Sequence, residues 1–84
     1  MPFFSYLLQC ADDSFYAGWT TNIENRLEAH NSGKASRYTR SRLPVQLAYV
    51  THHASRSEAM KNEAILKNKT HREKKQLMDE FHAK

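Results

Sequence analysis

The chain has 84 residues, 39% of them hydrophobic and 26% charged, with a mean hydropathy of −0.83. That describes one small domain, 1–84, with a thin core and a heavily charged surface. No apolar run approaches the roughly 20 residues of a membrane span, and Met1–Pro2 leads straight into a strand-like segment without a signal peptide, so a cytoplasmic location with no membrane partner is expected. A single cysteine, Cys10, excludes an internal disulfide and any multi-cysteine zinc site. The net charge of +4 and pI of about 9.4 point to polyanionic partners.

"FFSYLLQC" (3–10) is apolar on both alternating faces and reads as a central strand. "ADDS" is a turn, and "FYAGW" (15–19) returns as a second strand. With a two-residue turn at Asp12-Asp13, Tyr6 and Tyr16 would project to opposite faces. Asp13 is a poor substitute for the Gly such a turn prefers, so an odd-length or bulged connection is expected, with both phenols on one face.

Three helices are announced by capping boxes at Thr21–Glu24, Ser55–Glu58 and Thr70–Glu73. The first is expected over 22–31, with Gly33 as its left-handed cap, the second over 56–68 and the third over 71–82. "RLPVQLAYVT" (42–51) supplies a third strand, with Pro44 at its start. The expected class is α/β of the α+β type: a three-stranded antiparallel sheet flanked by about three helices, in the order ββαβαα.

The segment 31–42 is the one long loop. From Ala29 to Ser57 there is no Asp or Glu, whereas Lys34, Arg37, Arg40, Arg42 and Arg56 all fall inside. Lys34, Arg37, Tyr38, Arg40 and Arg42 are candidates for nucleic-acid contact; a solvated basic loop with no partner is the plainer alternative.

On the first helix Arg26 and His30 lie four apart beside the Ile23–Leu27 stripe. On the second, a helical wheel counted from Ala59 puts Ala59, Met60 and Leu66 at about 0°, 100° and 340°, with Glu63 at about 40° inside that arc. A carboxylate there is either salt-bridged, to Lys67 or an Arg, or held at the floor of a pocket for a cation. His52 and His53 point to opposite faces of a strand and read as surface or strand-end residues. Trp19 either stacks on a base or closes the core.

The run "SYLLQC…FYAGWTTNIENRLEAH…SEAMKNEAILK" resembles a GIY-YIG nuclease domain over nearly the whole chain, and most resembles short bacterial proteins that consist of this domain alone. Tyr6 stands at the Tyr of the first signature triplet, and Tyr16-Ala17-Gly18 at the second. Arg26 has the spacing of the family's essential Arg, His30 follows one turn later, and Glu63 stands at the metal-binding Glu. Phe4, Ser5 and Ala17 depart from the triplets. The family's downstream Asn is replaced by a run of Lys and Arg.

The resemblance implies endonucleolytic cleavage of phosphodiester bonds in DNA, with branched or structured forms and RNA left open. It implies catalysis by Tyr6, Tyr16, Arg26 and His30, and one divalent cation, Mg²⁺ or Mn²⁺, on Glu63, weakly held without substrate. The rivals are a non-catalytic nucleic-acid-binding module on the same scaffold, favoured by the missing Asn, and a structural protein in which Arg26 and Glu63 form only an ion pair. Oligomeric state is left open.

Overall fold

A computed structural model describes residues 2–83: β1 (Phe3–Gln9), β2 (Phe15–Thr20), α1 (Ile23–Asn31), α2 (Arg37–Arg40), β3 (Gln46–His53), α3 (Arg56–Asn68) and α4 (His71–His82). The strands form one antiparallel sheet in the order β2-β1-β3. β1 is therefore central, which is why its two alternating faces are both buried. Tyr6, Leu8 and Cys10 pack on one side with Val45, against Ile23 and Leu27 of α1. Leu7, Phe15, Ala17 and Ala48 pack on the other, against Leu66 of α3 and Met78 of α4. Full burial of an aliphatic side chain such as Leu7, 0% exposed, is worth about 1.5–3 kcal/mol, so this central strand is the main source of cohesion.

The hairpin connection has an odd length, as expected. The Asp13 amide donates to the Cys10 carbonyl at 3.0 Å, the Cys10 amide donates to the Ser14 carbonyl at 2.8 Å, and Asp13 adopts φ 69°. This is a type I turn followed by a left-handed residue, the usual three-residue solution. Asp tolerates that conformation better than most residues. The resulting register pairs Leu8 with Tyr16 and Tyr6 with Gly18, so both phenols share the α1 face.

The helix ends differ in detail from the three expected boxes. α1 is capped by Asn22, whose side chain accepts from the Asn25 amide at 3.0 Å; Asn is at least as good an N-cap as the neighbouring Thr21, and the Thr21–Glu24 box does not form. Ser55 caps α3 through the Glu58 amide, but the Glu58 carboxylate accepts from Ala54 rather than Ser55. Only Thr70 and Glu73 make the complete box. α1 closes with Gly33 at φ +76°, its amide donating to His30 O and that of Lys34 to Ala29 O, a Schellman motif.

Two expectations are corrected within 31–53. The loop holds a fourth helix, the short α2, capped by the Ser36 side chain. β3 begins at Gln46 rather than 42 and runs to His53. The Asn31 side chain bonds both the amide and the carbonyl of Val45, at 2.8 and 3.0 Å, so the ladder cannot start earlier. Among the described residues no helix is long and apolar enough to cross a membrane.

Candidate active site

Tyr6 lies at the centre of a chain of hydrogen bonds built from β1, α1 and α2. Its hydroxyl lies 3.0 Å from His30 Nε2, and His30 Nδ1 lies 2.8 Å from Thr39 Oγ1. Thr39 Oγ1 donates to Ser36 O at 3.4 Å, and Arg26 Nε donates to the Tyr6 hydroxyl at 3.4 Å. One proton arrangement satisfies all four: Arg26 donates to Tyr6, Tyr6 to His30 Nε2, and His30 Nδ1–H to Thr39.

The electrostatics agree with that arrangement. Burial, with the Arg26 charge, pushes the His30 pKa down to about 4, so the imidazole is neutral and its Nε2 is free to accept. Burial raises the Tyr6 pKa above the ordinary phenol value, against the opposing hydrogen bond and charge of Arg26. Tyr6 therefore keeps its proton. His30 is 0% exposed and Tyr6 2%, so His30 cannot reach a substrate. Grouped with the catalytic residues on sequence grounds, it and the equally buried Tyr6 lie beneath the surface, joined by their hydrogen bond.

Tyr16 is half-buried on the same face, its ring 5.1 Å from that of His30 and 6.0 Å from that of Tyr38. Among the described residues no hydrogen bond engages its hydroxyl, which leaves that group open to solvent or substrate. Gly18 gives the Tyr6 phenol its space on β2.

Glu63 comes from the other side. α3 packs against the face of Leu7 and Ala17, not the face of Tyr6 and Tyr16, so the expectation that one face carries all four groups is corrected. Behind burial, the negative charge of Glu63 adds slightly to the raised pKa of Tyr6. The wheel also needs correction: Ala59 and Leu66 are buried, but Met60 is 48% exposed, so Glu63 flanks the buried stripe instead of lying between apolar neighbours. Glu63 is half-buried and, among the described residues, in no ion pair with Lys67, Arg26 or any other cation. No cluster of three or more His, Cys, Asp or Glu occurs there among the described residues. A lone, unpaired carboxylate suits a hard cation whose other positions are filled by water and phosphate oxygens.

The acid-free segment borders this site, because α2 supplies both Thr39 and Tyr38 to it. Lys34, Arg37 and Arg40 are in no ion pair among the described residues and are at least partly open to solvent. Arg42 differs from them. Its Nε donates to Asp12 at 3.0 Å, its Nη1 to Tyr38 O at 2.8 Å, and its guanidinium lies 4.0 Å over the Tyr38 ring. Arg42 ties α2 to the hairpin turn, and its guanidinium is engaged there, unlike those of Arg37 and Arg40.

Sequence reasoning misses a polar cluster on the α3 face. The hydroxyls of Ser5 and Thr51 both donate to Asn62 Oδ1, at 2.5 and 3.1 Å. His53 Nε2 lies 2.8 and 2.9 Å from the same two hydroxyls. With both hydroxyl protons directed to Asn62, His53 Nε2 is the donor. The cluster fixes α3 at the residue next to Glu63, and the only hint is a Ser in a strand of aromatic and branched residues.

A three-stranded antiparallel sheet with Tyr6 and Tyr16 on one face, Arg26 on α1 bonded to Tyr6, and Glu63 on α3 has the layout of a GIY-YIG type of domain. The family model described as the GIY-YIG catalytic domain matches residues 2–76, and the chain belongs to that family of nucleases. It is 48% identical over 77 residues to a UPF0213 protein of Streptococcus pneumoniae serotype 4, spanning 92% of this chain and 78% of that one. A UPF0213 protein of Bacillus cereus is 47% identical over 73 residues, 87% of this chain and 76% of the relative. The solution NMR structure of a protein from E. faecalis aligns with a TM-score of 0.62 at 41% identity, covering 100% of this chain and 90% of that one. That of a UPF0213 protein from Bacillus halodurans gives 0.57 at 39% identity, covering 94% and 84%.

Proposed function

We propose that the protein is an endonuclease that hydrolyses phosphodiester bonds in DNA with the help of one divalent cation. The observation that carries this reading is the pairing of Arg26 and a neutral His30 with the Tyr6 hydroxyl, beside a second phenol, Tyr16, on the same face, and with an unpaired carboxylate, Glu63, on α3. A structural ion pair between Arg26 and Glu63 would explain the sequence pattern equally well, but no such pair is formed.

Glu63 would hold the cation, Mg²⁺ or Mn²⁺, which when bound polarises the phosphate and stabilises the leaving oxygen. Arg26 commits only Nε to Tyr6, so its terminal nitrogens are available to a phosphate oxygen and to charge that develops on it during attack. Tyr16, with its free hydroxyl, orients the attacking water. Tyr6 and His30 hold Arg26 and the sheet edge in place.

The test is incubation of the purified chain with branched, flapped and linear DNAs in Mg²⁺, Mn²⁺ or chelator, beside Glu63→Gln. Cleavage should require the cation and disappear in the Gln variant, while folding and DNA binding persist. A Gln variant that cuts as fast as wild type would overturn the assignment of Glu63. Binding without cleavage under every condition would favour the non-catalytic module, the reading that the missing downstream Asn supports.

A further inference from the structure

Where the edge strand β2 ends, a groove of about 430 Å³ is lined by Trp19, Thr20, Thr21, Arg26 and Arg56. That volume is within the range that holds a small ligand. One wall belongs to the site already described, because Arg26 also donates to Tyr6. The other wall comes from β2 and the first residue of α3. The Arg56 guanidinium lies 5.6 Å from the Trp19 ring centroid, and neither arginine is in an ion pair among the described residues.

Trp19 is the unexpected member. It is the only tryptophan in the chain, yet it belongs to neither core cluster and remains partly exposed. A tryptophan placed for packing would bury its indole in one of them. Here the ring lines an open groove that two guanidinium groups also line, one of them in contact with it, a combination that suits a flat aromatic ligand carrying negative charge.

We propose that this groove binds an unpaired nucleotide next to the scissile phosphate, with its base stacked on Trp19 and a flanking phosphate on Arg56. The inference rests on the reading of the Tyr6–Arg26 site as the place of phosphodiester cleavage, and it adds a substrate class: nucleic acid with a single-stranded segment at the cut. Stacking needs a base whose face is free, and inside a duplex both faces are covered by neighbouring base pairs. The exposed Arg56 contact with Trp19 is weak, so exchanging it for a phosphate costs little.

Because Trp19 is the sole tryptophan, its fluorescence reports on this groove alone. The full chain is titrated in chelator, where no cleavage intervenes, with oligothymidylate and with a duplex closed by hairpins at both ends. The single strand should quench Trp19 and bind more tightly than the closed duplex. Read by the anisotropy of a fluorescein-labelled oligothymidylate, since these variants carry no tryptophan, Trp19→Ala should weaken single-strand binding about tenfold, whereas Trp19→Phe, which keeps a stacking ring and guards against a folding defect, should retain most of it. Arg56→Ala should lower the single-strand log–log salt slope by about 0.7. Equal quenching by both ligands, or wild-type affinity in Trp19→Ala, would overturn the proposal. Cleavage measured in parallel with Mg²⁺ separates the two readings. Quenching without cleavage leaves the nucleotide groove standing and removes the nuclease; cleavage without a single-strand preference does the reverse.

Discussion

The Tyr6 phenol lies against the backbone of Gly18 on the neighbouring strand, so closely that a Cβ there would come within 2.6 Å of Tyr6 Cζ and nearer still to its hydroxyl. The need is for space and not for an unusual backbone, since Gly18 does not adopt a positive φ. On its far side the phenol is held by His30 and cannot yield freely. Gly18→Ala is therefore expected to destabilise the fold by about 1–3 kcal/mol, the usual range for overpacking, and to displace Tyr6 from Arg26. Urea denaturation checks the first effect and a cleavage assay the second. Wild-type stability in the Ala variant would mean that the phenol has room to move.

His30 predicts a pH dependence of stability. Its pKa falls from 6.5 in the unfolded chain to about 4 in the fold, so below pH 6.5 the unfolded state binds the proton first. Stability should fall as pH drops from about 6.5 to about 4 and decline no further through this group below that, with an upper bound of about 3 kcal/mol. His30→Gln removes the titration, so denaturation at pH 7, 5.5 and 4 should show a shallower pH slope than wild type, whatever the variant's absolute stability. Parallel slopes in the two proteins would show that His30 does not carry the effect.

The features legible in the sequence are those set by local chemistry. β1 reads as central because both its faces are apolar, and α3 and α4 can be bounded because Ser55 and Thr70 are good caps with no competing neighbour. At α1 two good caps, Thr21 and Asn22, stand side by side, and sequence cannot choose between them. α2 is a single turn, too short for periodicity to reveal. A wheel finds the buried stripe of α3 but not which edge of it meets solvent, so it sets Met60 in the apolar arc although that side chain is exposed. The cluster joining Ser5, Thr51, His53 and Asn62 spans up to 57 residues of sequence, and no local pattern encodes it. The occupation of Arg42 by Asp12, 30 residues away, is hidden for the same reason.

The basic segment should separate into two kinds of residue. Replacing Lys34, Arg37 and Arg40 together with Ala leaves up to three phosphates without a protein cation, so the log–log salt slope for duplex DNA should fall by about 0.9 for each of them. Sequence preference should not change, because cations of this kind position the protein on the backbone and do not read base edges. Arg42→Ala should leave the slope alone and cost up to about 1 kcal/mol of stability, through its exposed pair with Asp12 and its stacking on Tyr38. An unchanged slope in the triple variant would mean that α2 faces away from the nucleic acid.

Arg26 should not be replaceable by lysine. Its Nε is committed to the Tyr6 hydroxyl, and the two terminal nitrogens of the same planar group remain for a phosphate. A lysine ammonium is a single point charge: directed at the phosphate it abandons Tyr6, and directed at Tyr6 it leaves the phosphate unopposed. Charge stabilisation of this kind is typically worth about 10²–10³ in rate. Arg26→Lys is therefore expected to lower the single-turnover cleavage rate by about that factor, while stability falls by less than about 1 kcal/mol, because the positive charge near Tyr6 is kept. Single-turnover assays with saturating protein separate this loss from weaker binding. A lysine variant that cuts within about threefold of wild type would show that only the charge of Arg26 matters, and the division of its nitrogens between Tyr6 and the phosphate would be wrong.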